Sequence, residues 1–547
     1  MGLHIRHHRR PGGAARRTAL AGALLVGALA LPGAAPAGAA LLPGLSGGGA
    51  RYVIGDLGSS AVATVIGLVE QVGGTALEDL GVGGLVAATL TPLEVTLLGL
   101  LPGVVVTPDL TVQVQSDAAP ATTRPPAAVY PQQTGATDLW SAGDEGAGVN
   151  VAVLDTGIDN LPDLAGRLVG GVDLSGGGDP FNDQYGHGTF VAGLIASNGA
   201  SSGGSYLGEA PAAGLVAVKV AGASGTTDLA TVIEGVGWTI AHAAAFHIRV
   251  LNLSLGYVPV ESTALDPLDQ AVERAWAAGI VVVASAGNDG PTNGTILAPG
   301  DDPDVVTVGA VDDLGQSAPA ADQMASFSSA GPTNPDGWFK PDLVTSGRSV
   351  VSLAAPGSTV EASYPEARVG SGNFVGSGTS FSAAVTSGAV ALLLAAHPSE
   401  QPNQVKAALL SSTTPGPVGN PFVDGHGELD ASAAASVSGL TLTSHPGGPA
   451  VRLGLTVSLE NAWAQSSWNP GNWSSLAWNG NWSSLAWNGN WSSLAWNGAT
   501  FNSLAWNGGA WSSSAWSSLA WNGEQWDSLA WNGEAWSSVA WNGSSWS

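Results

Sequence analysis

Four short segments place reactive side chains at the ends of apolar runs. In Val151-Ala152-Val153-Leu154-Asp155-Thr156-Gly157 a strand-like run ends in a carboxylate, and the glycine lets the chain turn at once. A carboxylate at that point can orient an imidazole, hold a metal or bind a ribose. In Tyr185-Gly186-His187-Gly188-Thr189 two glycines flank a histidine. Its ring could then come close to a substrate, although many histidines are ordinary surface or core residues. Ser380, in Gly376-Ser377-Gly378-Thr379-Ser380-Phe381-Ser382, precedes the apolar run Ala383–Ala396. A serine there lies at the positive end of a helix dipole, either as a nucleophile beside its own backbone N–H or as a simple cap. Finally, Val281–Ala284 runs through Ser285 and Ala286 into Gly287-Asn288. That Asn amide can donate to developing negative charge, or it can merely make a turn. Carboxylate, imidazole, hydroxyl and amide are together the parts needed for nucleophilic acyl transfer.

Such groups need a scaffold that brings them to one edge. Between Thr134 and Ala435 the sequence alternates Val-rich runs with helical stretches. Val149–Leu154, Leu215–Val220, Val250–Leu255, Ile280–Ala284 and Val305–Val308 are the expected strands. Their nearly continuous apolar character fits a parallel sheet covered on both faces. Leu229–Phe246 and Asp266–Ala278 are the helices expected between them. The rhythm predicts an α/β, doubly wound, mostly parallel sheet, whose sites lie at the carboxyl ends of the strands.

The combined segments resemble the subtilisin-like serine proteases, the subtilases. Asp155-Thr156-Gly157, Gly186-His187-Gly188-Thr189 and Gly378-Thr379-Ser380 resemble the three catalytic signatures, and Gly287-Asn288 the oxyanion-hole turn. Asn252-Leu253-Ser254-Leu255-Gly256 resembles the substrate-binding strand. The resemblance covers residues 134–435. It implies a serine endopeptidase with Asp155, His187 and Ser380 as catalytic residues and Asn288 in the oxyanion hole. Ser254, Leu255, Gly256, Ala286 and Gly287 would line the substrate site, with Leu297 at the base of an apolar specificity pocket. Two positions depart from the family pattern: Ala384 stands where a proline is usual, and Leu161 where a histidine is frequent. Neither is a proton-transfer group. The resemblance also implies polypeptide substrates, chemistry that needs no cofactor, and structural Ca2+ in many members; no sequence loop singles out metal-ligating residues here.

Composition narrows the alternatives. With 42 acidic against 16 basic residues the formal charge is −26, which opposes a nucleic-acid partner because phosphate contacts need clustered Lys and Arg. Zero Cys excludes disulfides, thiolate metal sites and cysteine-protease chemistry. No Gly-rich phosphate loop follows the first strand, which argues against a nucleotide binder. A surface-binding protein carrying a disabled protease domain is a further alternative, opposed by the presence of all four reactive side chains.

The flanks divide further. Residues 1–39 read as a signal peptide: basic up to Arg16-Arg17, apolar over Thr18–Leu31, then small residues with cleavage after Ala37 or Ala39. The Arg pair also fits twin-arginine export. A secreted or cell-surface location follows. Residues 40–117 read as a small α+β unit, with strands at Arg51–Ile54, Ala87–Leu90, Val104–Val106 and Leu110–Val114 and helices at Ala61–Val72 and Leu93–Leu101. That order resembles the inhibitor-like propeptide of subtilases, so the protein's own propeptide is an expected partner. Residues 118–133 read as an exposed linker and 436–460 as a bridge. Residues 461–547 carry 17 of the 21 Trp in copies of W-S-S-L-A-W-N-G spaced by nine or ten. The spacing suggests stacked coils or Asn-Gly hairpins, or else a disordered tail. Exposed Trp there would suit contact with cell wall or glycan.

Overall fold

The computed structural model describes residues 49–56, 61–114, 128–438 and 440, with nine short strands between 476 and 541. The signal segment 1–39, most of the linker and nearly all of the 436–460 bridge lie outside the described residues.

The larger body is built on an eight-stranded sheet. Its order is Gln323–Met324, Val306–Asp312, Val281–Ser285, Ile248–Leu253, Asn150–Asp155, Gly214–Lys219 and Leu168–Asp173, with Leu343–Ser346 also on Val306–Asp312. Every pairing is parallel except that of the short Gln323–Met324 edge. Valines and alanines on both faces of these strands are fully buried, as two-sided coverage requires. The central strand Asn150–Asp155 is the switch point: the next strands in the chain lie to one side of it and the later ones to the other. A crevice at the carboxyl ends of the strands opens at such a point.

Helices cover the two faces. A Cβ on Gly188 of the helix His187–Ala196 would meet Asp155, and one on Gly235 of the helix Leu229–His242 would meet Leu154. Adjacent strand residues point to opposite faces, so these helices lie on opposite sides. The helix Thr379–Ala396 is long and apolar enough to cross a membrane, but 89% of it is buried here. It is the core helix of the body and packs on His187–Ala196.

The smaller N-terminal lobe has a four-stranded antiparallel sheet in the order Thr75–Asp79, Val86–Leu90, Ala50–Asp56, Val104–Pro108, with helices Val62–Val72 and Pro92–Gly99. The period of two divides its side chains. Ile54, Val86, Ala88 and Leu90 join the lobe's own core with Val65, Val69 and Leu98. Val53 and Ala87, on the other face, join the core of the body. A final strand, Thr111–Val114, leaves the lobe and pairs antiparallel with both Leu255–Gly256 and Thr226–Asp228 of the body.

Most expected elements recur within a few residues. Leu229–Phe246 ends at His242, and Val305–Val308 extends to Asp312. The exposed linker does not reach 133: Tyr130–Gln133 is a helical turn with Tyr130 and Pro131 buried, and the Tyr130 hydroxyl donates to the Leu207 carbonyl at 2.7 Å. In the repeat region Leu476–Trp478, Ser493–Trp496, Ser518–Trp521 and Val539–Trp541 pair in parallel and in register, and Leu485–Trp487, Leu504–Trp506 and Leu529–Trp531 do the same in a second sheet. Parallel neighbours of this kind need a crossover between them rather than a two-residue turn.

Candidate active site

Asp155 is the last residue of the central strand, fully buried. His187 opens its helix, and both Asp155 oxygens face its Nδ1, at 2.7 and 2.9 Å. This approach explains the glycines. A Cβ at Gly188 would lie 2.2 Å from the Gly157 carbonyl oxygen, so a side chain there would push the helix off the strand end. Gly186 has φ 105°, in the left-handed region that favours glycine.

A residue that pattern reading missed holds this junction. Asp183 is buried; its carboxylate accepts from the Thr156 hydroxyl and the Gly186 N–H through Oδ1 (2.8 and 2.7 Å) and from the Thr189 N–H through Oδ2 (2.8 Å). Thr156 in turn accepts the Gly188 N–H at 2.9 Å. Asp and His segments are thereby tied by one buried carboxylate, whose own pKa is pushed up by burial against those hydrogen bonds. The available signal was an acidic residue four positions before the histidine, which alone does not distinguish it from a loop residue.

Ser380 lies one residue inside the N-terminus of Thr379–Ala396, fully buried. Its hydroxyl donates to the Ser254 carbonyl at 3.0 Å, and the Ser254 hydroxyl donates to the Ser380 carbonyl at 3.0 Å. Asn252 continues the network, donating to Ser254 Oγ at 2.8 Å and accepting from Ser387 Oγ at 2.9 Å. His187 Nε2 is buried without a hydrogen-bond partner. The expected serine–imidazole hydrogen bond is therefore not formed in this conformation, because the hydroxyl is turned to the Ser254 carbonyl. The imidazole is nonetheless close to the serine helix: its ring centroid is 5.6 Å from that of Phe381.

Asn288 follows the strand Val281–Ser285 by three residues. Its Oδ1 accepts from both the N–H and the hydroxyl of Thr379, each at 3.0 Å, and the Gly287 N–H donates to the same hydroxyl at 3.1 Å. With its oxygen pinned to the helix start, the Asn288 amide nitrogen is the end left to serve as donor. Thr379 is thus the fastener between turn and helix.

Ser254, Leu255, Gly256, Ala286 and Gly287 are all buried. Leu297 lies between the two segments they form: a Cβ on Gly256 would be 3.1 Å from Leu297 Cβ, and one on Gly287 would be 2.8 Å from Leu297 Cγ. Backbone bonds Leu297 N–H to Ala286 O and Ala298 N–H to Tyr257 O, each 3.0 Å, hold it there. On the imidazole side a cavity of about 150 Å3 is lined by Tyr185, His187, Phe190, Tyr364 and Phe381 among others.

The subtilase-family profile matches residues 146–427. The chain belongs to the subtilase family. Members of this family are serine-type endopeptidases. Serine protease AprX of Bacillus subtilis is 42% identical over 291 residues, covering 52% of this chain and 66% of AprX. Subtilisin E of the same organism is 37% identical over 307 residues, covering 55% of this chain and 70% of subtilisin E. The crystal structure of fervidolysin from Fervidobacterium pennivorans, a keratinolytic enzyme related to subtilisin, shares the fold with a TM-score of 0.56 at 23% identity, over 73% of this chain and 62% of that one.

Proposed function

We propose that this chain is an exported serine endopeptidase made as a self-processing precursor, with Asp155, His187 and Ser380 as its catalytic triad. The observation that carries the reading is the buried Asp155–His187 clasp set against the start of the serine helix, with Asn288 anchored beside it. In the reaction the Ser380 hydroxyl turns from the Ser254 carbonyl to His187 Nε2, gives up its proton and attacks the peptide carbonyl. Asp155 holds the imidazole in the tautomer with Nδ1–H and stabilises the imidazolium. The Asn288 amide and the Ser380 N–H receive the oxyanion, His187 protonates the leaving amine, and water then releases the acyl group. Each proton is carried by a side chain or water, so this path needs no cofactor.

Polypeptide substrates would bind as an added strand. The strand Thr111–Val114 supports this, since it already occupies the slot between Leu255–Gly256 and Thr226–Asp228. Residues 40–117 then act as an inhibitor-like propeptide, with the maturation cut shortly after Val114. Leu297 at the base of the pocket favours an apolar side chain of moderate size before the cut. The basic, apolar and small-residue order of the first 39 residues supports export to the cell surface or beyond. The in-register strands of the Trp repeats support a stacked β-solenoid, suited to glycan or cell-wall contact.

The test is covalent labelling by a fluorophosphonate. The wild-type chain is expected to label at Ser380, and Ser380→Ala is expected to lose label, to accumulate as uncut precursor and to fall about 10⁶-fold in kcat. An unlabelled wild type would instead favour a binding protein with a disabled protease domain.

A further inference from the structure

The Trp repeats build a sheet whose two margins match each other. Leu476–Trp478, Ser493–Trp496, Ser518–Trp521 and Val539–Trp541 lie side by side in that order. Every pairing is parallel, and residues stand opposite their own kind: Leu476 beside Leu494, Ala495 beside Ala520, Trp521 beside Trp541. The one departure is Val539 beside Leu519. Leu485–Trp487, Leu504–Trp506 and Leu529–Trp531 repeat the rule in the second sheet, and along the chain the strands alternate between the two. In a stack of like repeats each one meets the next through the same interface, and stability is close to a sum of repeat and neighbour contributions. The upper side of any repeat then fits the lower side of any other.

The outer strands leave one such upper side and one such lower side over. Among the described residues, Leu476–Trp478 and Val539–Trp541 each have a neighbour on one side only. An outer strand presents backbone N–H and C=O groups to any chain able to pair with it. Native sheets usually blunt such edges with charge, above all Lys, or with Pro. Leu476-Ala477-Trp478 and Val539-Ala540-Trp541 contain neither, and residues 461–547 hold no Lys or Arg at all. Repeat arrays also tend to end in capping units of distinct, polar sequence. Here the two outer strands differ only by Leu against Val.

We propose that the repeats join one copy of this chain to the next, head to tail, with the Val539–Trp541 edge of one molecule pairing in parallel with the Leu476–Trp478 edge of another. This contact rests on the reading of the repeats as a stacked β-solenoid. The register found inside the chain carries over, placing Ala540 opposite Ala477 and Trp541 opposite Trp478. The two edges are unlike surfaces, and a contact between unlike surfaces that repeats along a stack extends as an open filament. Each molecule brings its own catalytic body, so a polymeric substrate would meet several of them at once.

The experiment uses the full chain carrying Ser380→Ala, so that self-cleavage does not trim the repeats, and reads mass by sedimentation. The average mass should rise several-fold with concentration. Ala540→Pro spoils one edge and Ala477→Pro the other, because a proline at mid-strand either withholds an outward N–H or breaks the pairing already present. Each variant alone should remain a single molecule. Mixed in equal amounts the two should form pairs and nothing larger, since the intact edge of one meets the complementary intact edge of the other. Hydrogen exchange at Ser493–Trp496 and Ser518–Trp521 reads the solenoid itself in the same samples. A parent that stays single at every concentration while these inner strands are protected overturns the head-to-tail contact and leaves the solenoid standing; unprotected inner strands in the parent remove both. Protected variants that assemble alone, or that give no pairs when mixed, also overturn the contact. Where exchange shows that a proline has unravelled its stack, the mass of the parent against concentration decides alone.

Discussion

The lobe and the body solve the same packing problem in opposite ways. The body encloses its sheet between two helix layers and buries its central strands on both faces from its own chain. The lobe covers one sheet face with its two helices and leaves the other to the body: Val53 and Ala87 join the core of the larger unit. Further contacts follow the same division. The Asp109 carboxylate accepts the Ala230 N–H at 2.9 Å, at the start of the helix Leu229–His242, and the Thr107 hydroxyl donates to Glu261 at 2.5 Å. A sheet with one face borrowed depends on its neighbour for half of its burial, whereas the four reactive side chains all lie in the body.

The strongest way to break this division lies in the body. Asn288→Ala should leave the fold intact and lower kcat by about 10²–10³ at similar KM, the size of loss seen when the corresponding donor of subtilisin is removed. A wild-type kcat would remove Asn288 from the oxyanion role. Asp183→Asn should act through position, because the amide nitrogen faces N–H donors where a carboxylate oxygen accepted. Loosening His187 against Asp155 should cost roughly 10–10² in kcat, with KM little changed. Kinetics on both variants, with circular dichroism to verify folding, check this.

The lobe gives the next test. Below roughly 70–80 residues a single core seldom suffices, and this one exposes half its sheet when alone. Residues 49–114 made separately should be largely unfolded by circular dichroism and gain structure when mixed with the separately made body. A cooperative melt of the isolated lobe would show that the borrowed face is dispensable.

The smallest effect concerns a buried group under the body's first helices. Burial pushes the Glu209 carboxyl up to about 8, opposed only by its hydrogen bond from Thr134. The folded state thus retains a proton that the unfolded chain releases near its ordinary pKa of 4.5. Stability contributed by that proton is complete below pH 4.5 and is lost as pH rises towards 8. Glu209→Gln should flatten the decline of the thermal midpoint across that window; an unchanged slope would place the titration elsewhere.

Much of the site was legible because its parts sit at element ends, where apolar runs stop at Asp155, Asn288 and Ser380. The glycines beside His187 were equally readable, since their need arises from backbone contact. Less legible were features that depend on distant partners. Strands such as Leu168–Asp173, with two glycines, carry little apolar signal and exist because a neighbour pairs with them. Asp183 and Thr379 became informative only once the hydrogen bonds they receive and give were visible. The turned hydroxyl of Ser380 is a rotamer, and no spacing encodes a rotamer.

The strand Thr111–Val114 carries a temporal consequence. Its ladder bonds to Leu255–Gly256 and Thr226–Asp228 are made upstream of the proposed cut, so severing the chain removes none of them. The first product of the enzyme would therefore stay lodged in its cleft. The onset of proteolysis would be timed by how slowly that fragment departs or is digested, giving each newly exported molecule a built-in delay before it can attack its surroundings.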